Sequence, residues 1–314
     1  MCQPLNRIYF FFFSDFLLAH GGNPMYHGIY REGTRGADRR AKGESAMIVQ
    51  NLHMHTDWDD GSASCEEMIS ASRAAGLSSV GVSVHCPMAH PSPWSCPKAR
   101  LPAYRAHMRA LKAKYAGEIE VYTGMEWDVD APETELTAYD YVIGSAHEIQ
   151  TPDGPLALDE SAETTARCLA MLGADGTAEA YFAALERVAQ EEAADIVGHF
   201  DLLTKFDERH GFFDENSPRY RRAAERAMER LVRAGKIFEV NTGAISRGYR
   251  TTPYPSMRWL CLLREMNGRV TVGADAHTPS GVVCAFDLAE RQIREAGFAK
   301  VWILQGKRFV PVSL

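Results

Sequence analysis

The sequence has no C-x-x-C pair, no internal repeat, no segment that reads as a linker and no apolar stretch of membrane-spanning length. Its seven cysteines (Cys2, Cys65, Cys86, Cys96, Cys168, Cys261 and Cys284) are scattered and odd in number. That pattern argues against a disulfide framework and fits a reducing, cytoplasmic setting. Basic charge is also short: 34 Lys and Arg stand against 41 Asp and Glu, a formal net charge of −7. This balance argues against general nucleic-acid binding. It leaves room for an anionic substrate, because bound divalent cations reverse the sign locally. An early apolar run, Ile8 to Phe13, holds four consecutive phenylalanines and is broken at Asp15. It is too short to span a bilayer, so no stable membrane association is expected. It also lacks the small-residue cleavage site of a signal peptide.

What is present is enough apolar sequence, 46% of 314 residues, for one large α/β barrel or two ordinary domains. Residues 1–46 carry no periodicity after the phenylalanine run and are rich in Gly and Arg. They read as an extension outside the fold, with Met47 as the expected native start; a membrane-touching tail is the alternative. Residues 47–314 are expected to form a single domain, because strand and helix patterns alternate from Met47 onward as in a parallel sheet. Strands are expected at 47–52, 79–85, 119–126, 139–147, 194–199, 237–241 and 270–277, with short closing strands at 301–304 and 308–312. Ser64-Cys65-Glu66-Glu67 has the form of a capping box and opens a helix that stops at Gly76. The five prolines between Pro87 and Pro102 predict a loop, followed by a helix over 104–115. A turn-rich insertion is expected at 151–159, and loop at 210–217.

Ligand-type side chains stand at the ends of these strands. His53 and His55 are two residues apart in Leu52-His53-Met54-His55, so on a strand they project to one face. Asp275-Ala276-His277 repeats the arrangement, and His85, Glu126, His147 and His199 end four other strands. In a β/α barrel such ends converge on one rim. Eight candidates are too many for one tetrahedral zinc and suit two or three divalent ions around a bridging carboxylate, for which Glu126 is the natural choice. Asp60, before Gly61 in the first loop, completes the set. A lone strand-end histidine is more often a hydrogen-bonded structural residue, and His90, His107 and His210 keep that reading. Cys86 points away from His85 and reads as structural.

Leu52-His53-Met54-His55-Thr56 with Asp60-Gly61, Thr123-Gly124-Met125-Glu126, Gly144-Ser145-Ala146-His147, Val197-Gly198-His199 and Gly273-Ala274-Asp275-Ala276-His277 resemble the polymerase and histidinol phosphatase (PHP) superfamily. Val197 to Phe206 and Glu239-Val240-Asn241-Thr242-Gly243 through Tyr249 resemble its histidinol-phosphatase branch. The likeness covers about residues 47 to 314. It implies a distorted (β/α)7 TIM-like barrel of the PHP type with a trinuclear centre at the C-terminal strand ends. By matching position, His53, His55, Glu126 and Asp275 would hold the first metal, Glu126, His147 and His199 the second, and His85, His277 and Asp60 the third. There are two departures. Val84 stands where the family has an acidic residue before the second-strand histidine, which removes an orienting partner. Asp60 stands where some members place a histidine.

The implied reaction is hydrolysis of a small phosphomonoester, L-histidinol phosphate in histidine biosynthesis being the leading substrate. Zinc, manganese or iron fits a mixed nitrogen and oxygen ligand set. Such ions lower the pKa of bound water and clamp phosphoryl oxygens, so a metal-activated hydroxide is expected to attack in line without a phosphoenzyme. Glu126, Asp275 and Asp60 are the candidate catalytic carboxylates. Arg247 is the first candidate for the phosphate cradle, since a guanidinium pairs two oxygens at once; Arg250 and Lys205 follow. Trp94 is a candidate wall for the rest of the substrate. Two other readings are a phosphatase of this fold acting on another phosphomonoester or a nucleotide, and a non-catalytic metal-stabilised binding module. Oligomeric state is left open.

Overall fold

A computed structural model describes residues 48–314; the expected N-terminal extension lies outside the described residues. In chain order the elements are β1 (Gln50–Asn51), α1 (Cys65–Ala74), β2 (Ser79–His85), α2 (Leu101–Lys114), β3 (Glu120–Asp128), β4 (Tyr141–Ser145), β5 (Glu148–Thr151), β6 (Gly154–Ala157) and α3 (Ala162–Leu185). There follow β7 (Ile196–Val197), α4 (Asp207–His210), α5 (Pro218–Arg233), β8 (Ile237–Asn241), α6 (Gly243–Ser246), α7 (Met257–Glu265), β9 (Arg269–Gly273), α8 (Phe286–Glu295), β10 (Lys300–Gln305) and β11 (Arg308–Ser313). Seven strands pair in parallel in the order β1-β2-β3-β4-β7-β8-β9. The first and last meet beyond their ends, at a parallel bridge between Met54 and Ala276. There the His55 amide donates to the Ala276 carbonyl at 2.9 Å, and the Ala276 amide to that of His53 at 3.3 Å. The fold is therefore a distorted (β/α)7 barrel, closed through the very segments that carry the first and last ligand candidates.

Period-two alternation sorts the strand residues into two layers. On β3, Val121 and Met125 join the large core under the helices, whereas Tyr122 joins a small interior cluster with Leu52, Tyr141, Ile143, Ile196 and Leu304. The same parity carries Glu126 to the inside of the rim. The Tyr141 ring lies across Gly81 and Gly124, where any Cβ would overlap it, and its hydroxyl donates to the Leu52 carbonyl. At the opposite end the β10–β11 hairpin is fixed by Gln50, which donates to the Leu304 carbonyl at 2.9 Å and accepts from its amide at 2.7 Å.

Several local expectations are corrected. The first strand is limited to Gln50–Asn51. Beyond it the Asn51 Oδ1 accepts from the His53 and Ala274 amides at 3.0 and 3.1 Å, replacing ladder bonds where the alternation lapses. The last barrel strand stops at Gly273, and Asp275 adopts φ 47°, so its side chain is aimed by a left-handed turn and not by a pleat. Helix α2 begins at Leu101, with Pro102 in its first turn, where a missing N–H costs no helical bond. The insertion after His147 forms the antiparallel β5–β6 hairpin, and His210 ends the short α4. The capping box is present: Ser64 and Glu67 satisfy each other's amides at 3.3 and 2.9 Å. Among the described residues no helix is long and apolar enough to cross a membrane.

Candidate metal centre

Glu126 and His85 are direct register partners on β3 and β2, so the strand pairing itself sets carboxylate beside imidazole. The Glu126 side chain is 1% exposed and faces five histidines. Its Oε2 lies 3.1 Å from His85 Nδ1, 3.2 Å from His53 Nε2 and 3.4 Å from His55 Nε2. Its Oε1 lies 2.9 Å from His199 Nε2 and 3.3 Å from His147 Nε2, and accepts from the Ser145 hydroxyl at 2.7 Å. Asp275 Oδ1 is 3.4 Å from His55 Nε2 and 3.8 Å from His53 Nε2. Asp60 Oδ2 is 3.3 Å from His277 Nε2, with Oδ1 3.9 Å from His85 Nε2.

All nine ligand candidates fall in four overlapping groups, within each of which the ligand atoms lie within 4.8 Å of one another. The groups are His55, Asp60, His85 and His277; His53, His199 and Asp275; His53, His55 and Glu126; and His85, Glu126 and His147. The partition differs from the one implied by family resemblance: His55 reaches the Asp60 group, and His85 also reaches Glu126 and His147. The buried Nε2 of His53 and of His55 and the Nδ1 of His85 have no hydrogen-bond partner. Unpaired buried imidazole nitrogens next to carboxylate oxygens are costly for packing alone and are what a ligand shell presents. The donor set fits two or three divalent ions.

Three further carboxylates, which sequence reasoning missed, orient the imidazoles. Glu239 Oε1 accepts from His53 Nδ1 at 2.7 Å, Asp59 Oδ2 from His55 Nδ1 at 2.8 Å, and Asp128 Oδ2 from His147 Nδ1 at 3.1 Å. Each turns an Nε2 toward the cluster, as outer partners of ligand histidines do. Asp128 follows Glu126 by two residues on one strand, and that spacing was a legible signal. Asp59 also accepts from the His85 amide at 2.9 Å, so an acidic contact near His85 comes from the first loop despite Val84. Gly273 leaves the space that Glu239 fills, and Gly243 the space for Asp275. Cys86 is buried and accepts from the Asp128 amide at 3.1 Å.

The electrostatics follow from this crowding. Burial alone would raise the Glu126 pKa, but His53, His85 and His147 outweigh it and hold the carboxyl well below its usual range. Asp275 is held down in the same way, against burial, by Arg247 and His53. Burial would lower His53, but Glu239, Glu126 and Asp275 raise it well above 6.5; for His55, Asp59 and Asp275 overcome burial and raise it to about 10. His147 is likewise raised, mainly by Glu126 against burial. His85 goes the other way, to about 4, through burial and the charge of His55. Coordination requires neutral imidazoles, so metal loading of chelator-stripped protein at pH 7 should release protons. Titrating zinc into weakly buffered stripped protein checks this; a proton-neutral titration would contradict it. The sign for stability is opposite. The raised imidazoles stabilise the stripped fold below about pH 6.5 and lose that contribution as pH rises toward about 10, so its Tm should fall over that interval.

A cavity of about 200 Å³ opens over the cluster and is also lined by Trp94, Asp159, Glu160, Lys205 and Arg247. Arg247 Nη2 donates to Asp275 Oδ2 at 2.9 Å, and Nη1 lies 3.1 Å from His277 Nδ1. Lys205 Nζ is 2.7 Å from the Asp159 carbonyl and 3.0 Å from its Oδ2. Arg250 does not line the cavity: it is buried behind it, donating to Thr204 and Thr252 and stacked 4.4 Å from the Tyr254 ring centroid. His90 pairs with Glu148, and His210 stacks on Phe212.

The sequence profile of the PHP domain matches residues 51–243. The chain belongs to the PHP family. A Deinococcus radiodurans protein named "Probable histidinol-phosphatase" is 30% identical over 262 residues, covering 78% of this chain and 92% of its own. A Schizosaccharomyces pombe protein of the same name is 29% identical over 215 residues, covering 64% of this chain and 68% of its own. The Lactococcus lactis histidinol phosphate phosphatase structure, in complex with zinc, L-histidinol and phosphate, superposes with a TM-score of 0.65 at 18% identity, over 84% of this chain and 100% of that one. A Listeria monocytogenes structure assigned as a histidinol phosphatase gives 0.69 at 18%, over 76% and 99%. At that identity the structures establish a shared PHP fold. With the ligand cluster at its rim, this PHP protein is a metal-dependent phosphoesterase related to the histidinol-phosphatases.

Proposed function

We propose that the chain hydrolyses L-histidinol phosphate to L-histidinol and phosphate, as a step of histidine biosynthesis in the cytoplasm. The observation that carries the reading is the Glu126 carboxylate shared among five imidazoles, with the Arg247 guanidinium on the same cavity. The names of its curated relatives, and the ligands of the Lactococcus protein, support the substrate. The absence of any disulfide among the six described cysteines is consistent with the compartment.

In this reading His53, His55, His85, His147, His199, His277, Glu126, Asp275 and Asp60 hold the ions, in the groups their distances define. Divalent cations bound there would supply a water of lowered pKa and neutralise phosphoryl charge. Glu239, Asp59 and Asp128 keep the imidazoles oriented. Arg247, which lines the cavity, binds phosphoryl oxygens. Lys205, braced by Asp159, lines the same cavity. Arg250 takes no part in contacting substrate and supports the wall through Thr204 and Tyr254.

Arg247→Ala should raise KM for the phosphomonoester about 10- to 100-fold, the worth of a charge-assisted hydrogen bond, and change kcat less. Steady-state kinetics check it, and an unaltered KM would return Arg247 to a structural role beside Asp275. The deciding experiment is phosphate release from a panel of phosphomonoesters with metal content measured on the same sample. Preference for sugar phosphates or nucleotides over L-histidinol phosphate would overturn the substrate assignment.

A further inference from the structure

Trp94 is the one aromatic side chain other than histidine among the residues lining the cavity. It lies on the proline-rich segment after β2, not on a barrel element. Its ring centroid is 4.9 Å from that of His85, with the planes at 69°, and 5.5 Å from that of His147, at 50°. Neither imidazole stacks flat on the indole, and the indole borders the cavity. The Trp94 segment is tied down on both sides. The Cys96 amide donates to the His85 carbonyl at 3.3 Å. On the other side His90 Nε2 lies 2.9 Å from Glu148 Oε2, joining the segment to β5 beside His147. The Glu148 side chain is 4% exposed and His90 41%, so a half-exposed imidazole reaches in to a carboxylate that is almost wholly buried. Ser92 holds the other ring nitrogen, at 3.3 Å from His90 Nδ1.

We propose that Trp94 selects, among phosphomonoesters, those whose alcohol portion carries a flat ring, and that His90 is the residue that positions it. A planar group attached to a phosphate held at the cluster would meet the indole, and offset or edge stacking rewards a ring over an aliphatic chain of similar area. The other non-ligating apolar walls, Ala157 and Leu202, offer no such preference. His90 acts through the Glu148 pair, which fixes where the segment crosses the cavity mouth. The inference rests on the phosphomonoesterase reading and adds to it a basis for choosing the alcohol.

The test compares benzyl phosphate with butyl phosphate on the metal-loaded full chain, with L-histidinol phosphate as a third substrate. Trp94→Leu should lower the benzyl-to-butyl ratio of kcat/KM by about three- to tenfold, through KM, with bound metal unaltered. His90→Ala should move the ratio the same way, and His90→Gln, which keeps a donor toward Glu148, should restore it. A ratio unmoved in Trp94→Leu, or one that shifts only with loss of metal, overturns the proposal. Equal ratios in His90→Ala and His90→Gln overturn the positioning role. If benzyl and butyl phosphates show the contrast while L-histidinol phosphate is a poor substrate, the selection by Trp94 stands and the histidinol assignment falls.

Discussion

Glu126→Gln should leave the protein folded but reduce phosphate release by well over a hundredfold, with less metal bound per chain. The substitution keeps the shape of the side chain and can keep the Ser145 hydrogen bond. It removes the negative charge that sits within 3.4 Å of five ring nitrogens. An amide oxygen is a poorer ligand for a divalent ion, and the amide N–H groups would donate to the Nε2 lone pairs that coordination needs. Losing an outer partner of a ligand typically costs 10–100-fold in metal affinity or activity, so loss of the shared carboxylate should exceed that. Metal analysis and phosphate release on one preparation check the result. Full metal content with full activity would remove Glu126 from the centre of the site.

Gly124→Ala is expected to damage the fold. Its new Cβ would overlap the Tyr141 ring, which spans Gly81 and Gly124 inside the barrel and is fixed by its hydroxyl on the Leu52 carbonyl. The ring has nowhere to retreat, because Tyr122, Ile143, Ile196 and Leu304 fill the interior around it. Overpacking of this kind costs about 1–3 kcal/mol and at times more, a fall in Tm of several degrees at this size. Gly124 is also two residues before Glu126 on the same strand face, so activity should fall with stability. Combining Gly124→Ala with Tyr141→Leu should recover part of the loss, since the two sites share one space. Melting curves of the two single variants and the double variant measure this; a wild-type Tm for Gly124→Ala would contradict the packing.

The legible part of the site was the part written in residue type and strand parity. His53 with His55, and Asp275 with His277, are conspicuous because paired ligand-type residues at strand ends have few packing explanations. Glu239 and Asp59 were not, since an acidic residue near a strand end reads the same whether it faces solvent, caps a helix or accepts from an imidazole. Arg247, the first candidate for the phosphate cradle, and Arg250 lie in one short segment. Gly248, at φ 74°, turns the chain between them, and one guanidinium reaches the cavity while the other packs on Tyr254. His90 looked bland because its partner, Glu148, is 58 positions away.

The sequence by itself determined the alternation of strand and helix, the rim on which ligands gather and the chemistry that nine nitrogen- and oxygen-bearing side chains can perform. Those properties are local or periodic, and a strand's parity needs no knowledge of its neighbours. Only the tertiary structure decided which imidazole shares which carboxylate, which acids stand behind them, and which cation lines the cavity. These depend on register between strands distant in the chain, on turns such as those at Asp275 and Gly248, and on the room left by Gly243 and Gly273. A few tenths of an ångström or one left-handed residue reassigns each of them, and no pattern along the chain records distances across it.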